Sequence, residues 1–225
     1  PTFTSGSQAG DFDHAGTANR KHRLQGIEIN NDGTKLFLIW FDAADADVGA
    51  RLLEYTLSTP YDLTTLSLVT SAGISFATPA ASSIYVNNPA SMRFSPNGKR
   101  VFITSHDEGN AGVTQVSFTN SFDSSSFVID GTVNINNIST PSNDEPRGLA
   151  FGMNGIKLII ANDFNDGDGD ELMEYDLVCP FNIITGKCPS ITENSDRTGM
   201  TLAQIEIAKR TIDHSTDTAL NRLKW

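Results

Sequence analysis

Hydrophobic and polar residues alternate most clearly between Pro89 and Thr104, where the pattern predicts a tight β-hairpin. The alternation ends at Phe94, Asn97-Gly98 is typical of a hairpin turn, and residues 101–103 have the composition of a returning buried strand. Glycine is expected in this turn because one residue is held at positive φ, where a side chain would clash. The segment therefore predicts two antiparallel strands joined by a short turn.

The hairpin pattern occurs three times, around Gly33, Gly98 and Gly155. These glycines stand 65 and 57 residues apart, so the period is near 60 residues. Each copy is followed by a third strand and then by a short aromatic corner. The predicted third strands are 53–57, 114–118 and 173–177, and the corners are 60–63, 121–124 and 180–183.

A period of this length with about four strands per unit fits a β-propeller blade better than a helical solenoid. We therefore predict an all-β fold with three antiparallel four-stranded blades, at residues 24–75, 89–138 and 146–190, followed by a C-terminal α-helix. The alternative is an ordinary antiparallel sandwich whose turns coincide. Three blades fall short of the roughly four to eight in a closed propeller. They therefore belong to a larger propeller, or copies of the chain assemble as a homo-oligomer.

The two ends of the chain depart from the blade pattern. Residues 1–23 are rich in Gly, Ser, Thr and Ala, and they predict a lead-in or the last strand of a preceding blade. Residues 191–200 form a polar linker, and Thr201 with Gln204 matches a capping box that opens a helix over 201–225. The apolar stripe of this helix is narrow and interrupted, which suits docking on a partner or a pore wall. The alternative is a helix folded back on the blades.

The composition limits the partners. The 225 residues carry a net charge of −11, with a pI near 4.6, which argues against nucleic acid and anionic membranes because phosphates would be repelled. No apolar run approaches the ~20 residues that a membrane-spanning helix needs. The chain begins at Pro1 without an initiator Met or a signal sequence, so we expect a mature fragment of something longer.

The two cysteines, Cys179 and Cys188, flank a short predicted strand and a glycine turn. A disulfide closing this loop of about ten residues would stabilise the fold by roughly 2–3 kcal/mol in the chain-entropy model. Metal binding by the pair is the weaker alternative because no histidine lies nearby. A disulfide predicts an oxidising, extracytoplasmic location.

Acidic residues are concentrated between the second and third strands of each repeat. Residues 42–50, 106–112 and 163–171 hold ten of the 27 acids and no Lys or Arg. In a blade these loops share one face with the crossovers, so the acids are expected to form an acidic rim that attracts cations or a protein or glycan ligand. The rim residues of the first two repeats are Asp42, Asp45, Asp47, Asp107 and Glu108.

The third acidic loop is the best candidate for a calcium site, because alternate carboxylates can converge on one cation. The predicted metal ligands are Asp163, Asp166, Asp168, Asp170 and Glu171. The spacing is not that of an EF-hand, since Glu171 stands where the sixth-position glycine is required. The alternative is a solubilising hairpin tip that binds no ion.

The repeats of residues 24–190 resemble the β-propeller repeats of many bacterial surface proteins. Residues 203–225 resemble the segment that precedes the outer-membrane barrel in autotransporter-like proteins of marine bacteria. In that family the passenger is exported and a linker helix threads the barrel lumen. The resemblance therefore implies a passenger region at the bacterial cell surface, associated with the outer membrane, whose helix meets the barrel of the same longer protein.

Reactive constellations are sparse in the sequence. His106-Asp107 lies in a rim loop, but the chain has no Gly-x-Ser-x-Gly elbow, no His-x-x-x-His pair and no phosphate-binding glycine loop. We therefore predict a non-catalytic exported binding or display module. The competing prediction is a calcium-dependent propeller hydrolase of the lactonase or phosphatase type.

Overall fold

The computed structural model describes residues 22–42, 50–76, 86, 88–105, 111–134, 144–164 and 171–184. These residues form antiparallel sheets joined by short turns. The all-β prediction is confirmed for this part of the chain. The predicted lead-in (1–23) lies almost wholly outside the described residues, and the linker (191–200) and the C-terminal helix (201–225) lie entirely outside them.

Each hairpin repeat forms one sheet whose strands lie in chain order. Sheet 1 consists of β1 (His22–Ile29), β2 (Lys35–Asp42), β3 (Ala50–Leu57) and β4 (Leu66–Ser75). Sheet 2 consists of β5 (Pro89–Phe94), β6 (Arg100–Ser105), β7 (Gly112–Phe118) and β8 (Phe127–Asn134). Sheet 3 consists, in the described residues, of β9 (Asp144–Gly152), β10 (Lys157–Phe164) and β11 (Glu171–Asp176).

The turn glycines and the aromatic corners fit together in all three repeats. Gly33, Gly98 and Gly155 have φ of 75°, 67° and 87°, as the hairpin pattern predicted. A Cβ at Gly98 would also lie 2.2 Å from the ring of Phe122, whose N–H donates to the Gly98 carbonyl. Tyr61 and Phe181 make the same contact in the other repeats. Glycine is therefore required both by its backbone angle and by the ring against it.

The two ends of the sheets differ in the kind of connection they carry. The glycine turns and aromatic corners lie at one end, which we call the turn end. At the opposite end, the loop end, the second strands finish and the third strands begin. The loop end is defined by Asp42, Ala50, Ser105, Gly112, Phe164 and Glu171.

Most of the core of the described residues lies between successive sheets, and a smaller buried cluster (Leu36, Leu38, Tyr55 and Leu57) lies on the face of sheet 1 opposite Phe37. We call the face of a sheet that meets the next sheet its trailing face, and the face that meets the preceding sheet its leading face. Phe37 of sheet 1 packs on Phe94 of sheet 2 with ring centroids 4.6 Å apart, and Phe102 of sheet 2 packs on Phe151 of sheet 3 at the same distance. The two sheet-to-sheet contacts, which we call the first and second joints, are therefore built alike.

The first strands of the three sheets lie next to one another, because β5 contacts both β1 and β9. The buried residues of the first joint come from the trailing face of sheet 1 and the leading face of sheet 2. They include Phe37, Ile39, Leu52, Met92, Phe94, Val101, Ile103 and Val116. Those of the second joint include Phe102, Val113, Leu149, Leu158, Ile160, Met173 and Tyr175.

Candidate functional site

The loop end carries the acidic residues that the sequence singled out. Asp42 ends β2, Asp163 lies near the end of β10 and Glu171 begins β11, so the structure places all three at this end. Outside the described residues lie Asp45, Asp47, Asp107, Glu108, Asp166, Asp168 and Asp170. Whether the rim acids converge on one another stays a prediction.

Sheet 3 brings further acids to the loop end through its strand register. Asp163 pairs with Glu145, Phe164 pairs with Asp144, and Asn162 pairs with Glu171. Four acidic residues of three neighbouring strands therefore lie within a few residues of the same edge. Asp144 and Glu145 were not part of the predicted calcium set. Their place before the third hairpin could have indicated that they lie at the loop end.

Arg147 supplies positive charge to this acidic edge. Its Nε lies 3.3 Å from Oδ2 of Asp163, and its guanidinium also contacts Glu145. The side chains of Arg147 and Asp163 are nearly half exposed, so the ion pair contributes about 0–1 kcal/mol to stability. Arg147 thus places a positive charge beside Asp163, one of the predicted metal ligands. Glu145 and Arg147 are two apart on a strand, and this spacing was the signal that sequence reasoning missed.

The calcium prediction remains open. Within the described ranges, His, Cys, Asp and Glu side chains form no group of three that could hold a metal ion. Asp166, Asp168 and Asp170 lie outside those ranges, so the structure does not test the predicted set. Carboxylate oxygens are the ligands that Ca²⁺ prefers, which keeps the chemistry of the loop suitable for the ion.

A second charged pair joins the first strands of sheets 1 and 2. Oε1 of Glu28 lies 2.7 Å from Nη1 of Arg93, and the Glu28 side chain is largely buried. Burial raises the pKa of the Glu28 carboxyl, and the charge and hydrogen bond of Arg93 offset this rise only in part. Both residues stand five positions before their turn glycine, so the repeat aligns them, a relation that the sequence reasoning did not use.

Among the described residues, the most buried carboxylate lies in the first joint, near the turn end. One carboxylate oxygen of Glu54 accepts a hydrogen bond from Nζ of Lys35 at 2.6 Å. The other oxygen accepts hydrogen bonds from the N–H and the hydroxyl of Ser124, both at 2.8 Å. Lys35 also donates to the carbonyl of Phe122 at 2.6 Å. These bonds fix the corner of repeat 2 against sheet 1, so this buried charge has a structural use.

Cys179 follows β11 and is buried. It pairs through an isolated β-bridge with Asn182, so it belongs to the aromatic corner of the third repeat. Cys188 lies outside the described residues, and the disulfide between the two stays a prediction. In the described part of the chain, no helix is both long and apolar enough to cross a membrane.

No family model and no curated protein matches the chain. One similar solved structure is that of a protein from Lactobacillus plantarum, with 11% sequence identity and a TM-score of 0.50. The match covers 84% of this chain and 41% of the Lactobacillus chain. Another is that of a candidate 6-phosphogluconolactonase from Bacteroides uniformis, with 17% identity and a TM-score of 0.47. That match covers 74% of this chain and 39% of the Bacteroides chain. This chain thus spans about two fifths of the length of each. At 11% identity the Lactobacillus similarity concerns the fold alone, an all-β arrangement of antiparallel sheets.

Proposed function

We propose that the sheets are propeller blades and that the chain is a non-catalytic module that binds or displays a ligand at its loop end. The observation that supports the proposal is the contrast between the two ends of the sheets. The turn end is tied by glycine turns, aromatic corners and buried hydrogen bonds, whereas the loop end presents the acidic segments between second and third strands. Rigid elements that carry a set of loops at one end are a common platform for binding.

The chemistry of the loops favours a cationic ligand. Residues 42–50, 106–112 and 163–171 hold ten acids and no Lys or Arg, which attracts a cation-bearing protein or glycan and repels phosphates. Calcium bound by Asp166, Asp168 and Asp170 would lower this charge and would offer open coordination positions to hydroxyl groups of a glycan. The ligand class is therefore a cationic protein or glycan, with Ca²⁺ as a modulator.

The buried ionisable groups of the described residues support a structural use rather than catalysis. Glu54 accepts bonds from Lys35 and Ser124, and both of these partners belong to the turn end. The placement of the module at a bacterial cell surface, ahead of an outer-membrane barrel, rests on the resemblance of residues 203–225 and on the predicted disulfide. It is part of the proposal and is tested separately, by the redox state of Cys179 and Cys188 in the native host.

The binding proposal is tested with a cationic glucosamine oligosaccharide and its neutral N-acetylated counterpart as probes. We expect calorimetry at low salt to show binding of the cationic probe only, weakening as ionic strength rises. The variant pair Asp107→Asn with Glu108→Gln removes two charges from the loop end and is expected to weaken binding several-fold.

The matched control removes two charges from the turn end. Asp32→Asn and Asp62→Asn install the residue found at the equivalent position of another repeat, Asn97 and Asn182 respectively. We expect this variant to bind as the original chain does. If both variants weakened probe binding equally, binding would depend only on the net charge of the chain. That result would contradict a binding site at the loop end. Turnover of a lactone or a phosphate ester in millimolar Ca²⁺ would overturn the non-catalytic proposal in favour of a hydrolase.

A further inference from the structure

A stripe of buried hydrophobic side chains runs along the face of sheet 1 that points away from sheet 2, which we call the outer face. Alternate residues of β2 and β3 share this face because of their register. The buried residues of the stripe, each at most 7% exposed, are Leu36, Leu38, Trp40, Tyr55 and Leu57. Burial also raises the pKa of the Tyr55 hydroxyl. The outer face is therefore shielded from water along its two central strands.

The described parts of sheets 2 and 3 do not provide this shield. Sheet 2 packs on the other face of sheet 1, where Phe94 meets Phe37, and the buried cluster of the outer face consists of residues of sheet 1 alone. An open face has a different burial pattern. On the trailing face of sheet 3, Leu172 is 42% exposed and Ile159 is only partly buried. The stripe on sheet 1 therefore requires a cover from outside the described ranges.

The cover is narrower than a sheet. On the same outer face, Ile27 of β1 and Leu68 of β4 are 61% and 46% exposed. In the first joint, where a whole sheet packs on sheet 2, Met92 stands at the position of Ile27 and is buried. Two strands about 4.8 Å apart match the width of one α-helix, whose diameter with side chains is about 10 Å. The burial pattern therefore fits a single helix that lies along β2 and β3.

The predicted helix of residues 201–225 has a hydrophobic stripe of matching length. Its first part contains Leu202, Ile205 and Ile212. From Leu202 to Ile212 the helix rises by about 15 Å, and the buried stripe from Leu36 to Trp40 extends over about 13 Å of strand. The two stripes can therefore lie against each other along their whole length.

The length and charge of the C-terminal part of the chain allow this contact. The 17 residues between Ile184 and Leu202 reach as far as about 55 Å, whereas three packed sheets measure about 30 Å across. Residues 201–225 carry four Lys or Arg and three acids on a chain of net charge −11, so the acidic sheets attract the segment. Residues 1–21, by contrast, have only Phe3 and Phe12 as large hydrophobic residues.

We propose that residues 201–225 form a helix that packs on the outer face of sheet 1, with Leu202, Ile205 and Ile212 over the buried stripe. The helix then takes the place that a neighbouring sheet occupies at each joint. While it is packed there, its stripe is not accessible to the wall of an outer-membrane barrel, so the two placements exclude each other. The inference does not depend on the ligand proposed for the loop end.

The test measures the accessibility of Tyr55 in the full chain by hydroxyl-radical labelling, with mass spectrometry to locate the oxidised residues. Tyr61, which is exposed, and Tyr175, which is buried in the second joint, are internal references. We expect Tyr55 to be oxidised as slowly as Tyr175. Ile205→Asp should accelerate the oxidation of Tyr55 several-fold. An unchanged rate at Tyr175 in this variant would show that the joints stay folded.

Ile207→Asp is the matched control, because it makes the same substitution on the opposite side of the predicted helix. We expect this variant to leave Tyr55 protected. Phe12→Asp and dilution of the chain test two other covers, residues 1–21 and a second copy, and neither should change the rate. Equal Tyr55 rates in the Ile205→Asp and Ile207→Asp variants would overturn the proposal. So would a Tyr55 as reactive as Tyr61 in the original chain, or faster oxidation with Phe12→Asp or on dilution.

Discussion

Both joints bind an N–H of the next corner, but they use different side chains as the acceptor. In the first joint a buried carboxylate, Glu54, accepts the N–H of the next corner and is paired with Lys35. In the second joint a buried amide, Gln115, accepts the equivalent N–H and donates to Asp130 at 2.7 Å. Both side chains are buried, and both lie opposite an aromatic residue of the second strand.

The comparison shows that the repeat preserves a hydrogen bond and not a charge. An unsatisfied corner N–H would be costly inside either joint, so an acceptor is required. The acceptor is free to be charged only where a cation lies near enough to compensate its burial, as Lys35 does at 2.6 Å. Neutral Gln115 needs no counterion, and Arg100 in its joint is left to bond the carbonyl of Phe181.

The largest effect is expected from removing the buried charge. Glu54→Ala leaves Lys35 without its counterion and Ser124 with two donors that have lost their acceptor. Breaking a buried ion pair at one partner typically costs about 3–5 kcal/mol. We expect the free energy of unfolding in urea to fall by that amount.

Glu174→Ala is the matched control, since Glu174 pairs with Ile159 as Glu54 pairs with Phe37, and its side chain is 40% exposed. Its ion pair with Lys157 is partly exposed, and Lys157 keeps Asp176 as a partner in the variant, so the expected loss is below about 1 kcal/mol. Similar losses in the two variants would mean that the corner of repeat 2 does not shield Glu54 from water.

A smaller loss is expected in the second joint. Gln115→Ala leaves the N–H of Ile183 without its acceptor and removes one donor from Asp130, but it leaves no unpaired charge. A buried donor that loses its partner costs about 1–3 kcal/mol, so urea unfolding should place this variant between Glu54→Ala and Glu174→Ala. Ser117→Ala removes only a bond to Asp130 and serves as the control. A loss as large as that of Glu54→Ala would argue that the charge in the first joint adds nothing.

Much of the fold was predictable because it follows local rules. The glycines at 33, 98 and 155 and the alternating apolar residues around them predicted the hairpins, and the recurring corner predicted three equivalent units. The aromatic corner was visible as a recurring pattern, but its contact with the glycine was not. The ring of Phe122 lies against Gly98, 24 positions earlier in the chain, and no spacing rule relates them.

The joints were not predictable for a related physical reason. Glu54 and Gln115 differ in charge, and Ser124 and Ile183 differ in polarity, so a search for matching residue types finds no common signal. What the repeats share is a backbone N–H, which every non-proline residue has. The acidic loops were evident from composition alone, but composition does not determine where their carboxylates point.

The smallest effect concerns the second charged contact of the first joint, Glu28 with Arg93, which has no charged equivalent in the second joint because Ala150 stands at that position. Burial holds the pKa of Glu28 above its ordinary value of 4.5, so the folded chain binds this proton more tightly than the unfolded chain does. Stability from this group is therefore present below the ordinary pKa and is lost as the pH rises through the raised value.

Glu28→Gln removes that loss and can still accept a hydrogen bond from Arg93. We expect the variant to match the original chain at pH 4 and to exceed it slightly at pH 7, by less than about 1 kcal/mol because Arg93 is half exposed. Urea unfolding across this pH range measures the difference. A variant that becomes less stable than the original chain as the pH rises would show that the attraction of Arg93 outweighs burial, and the first joint would then depend on charge at both of its contacts.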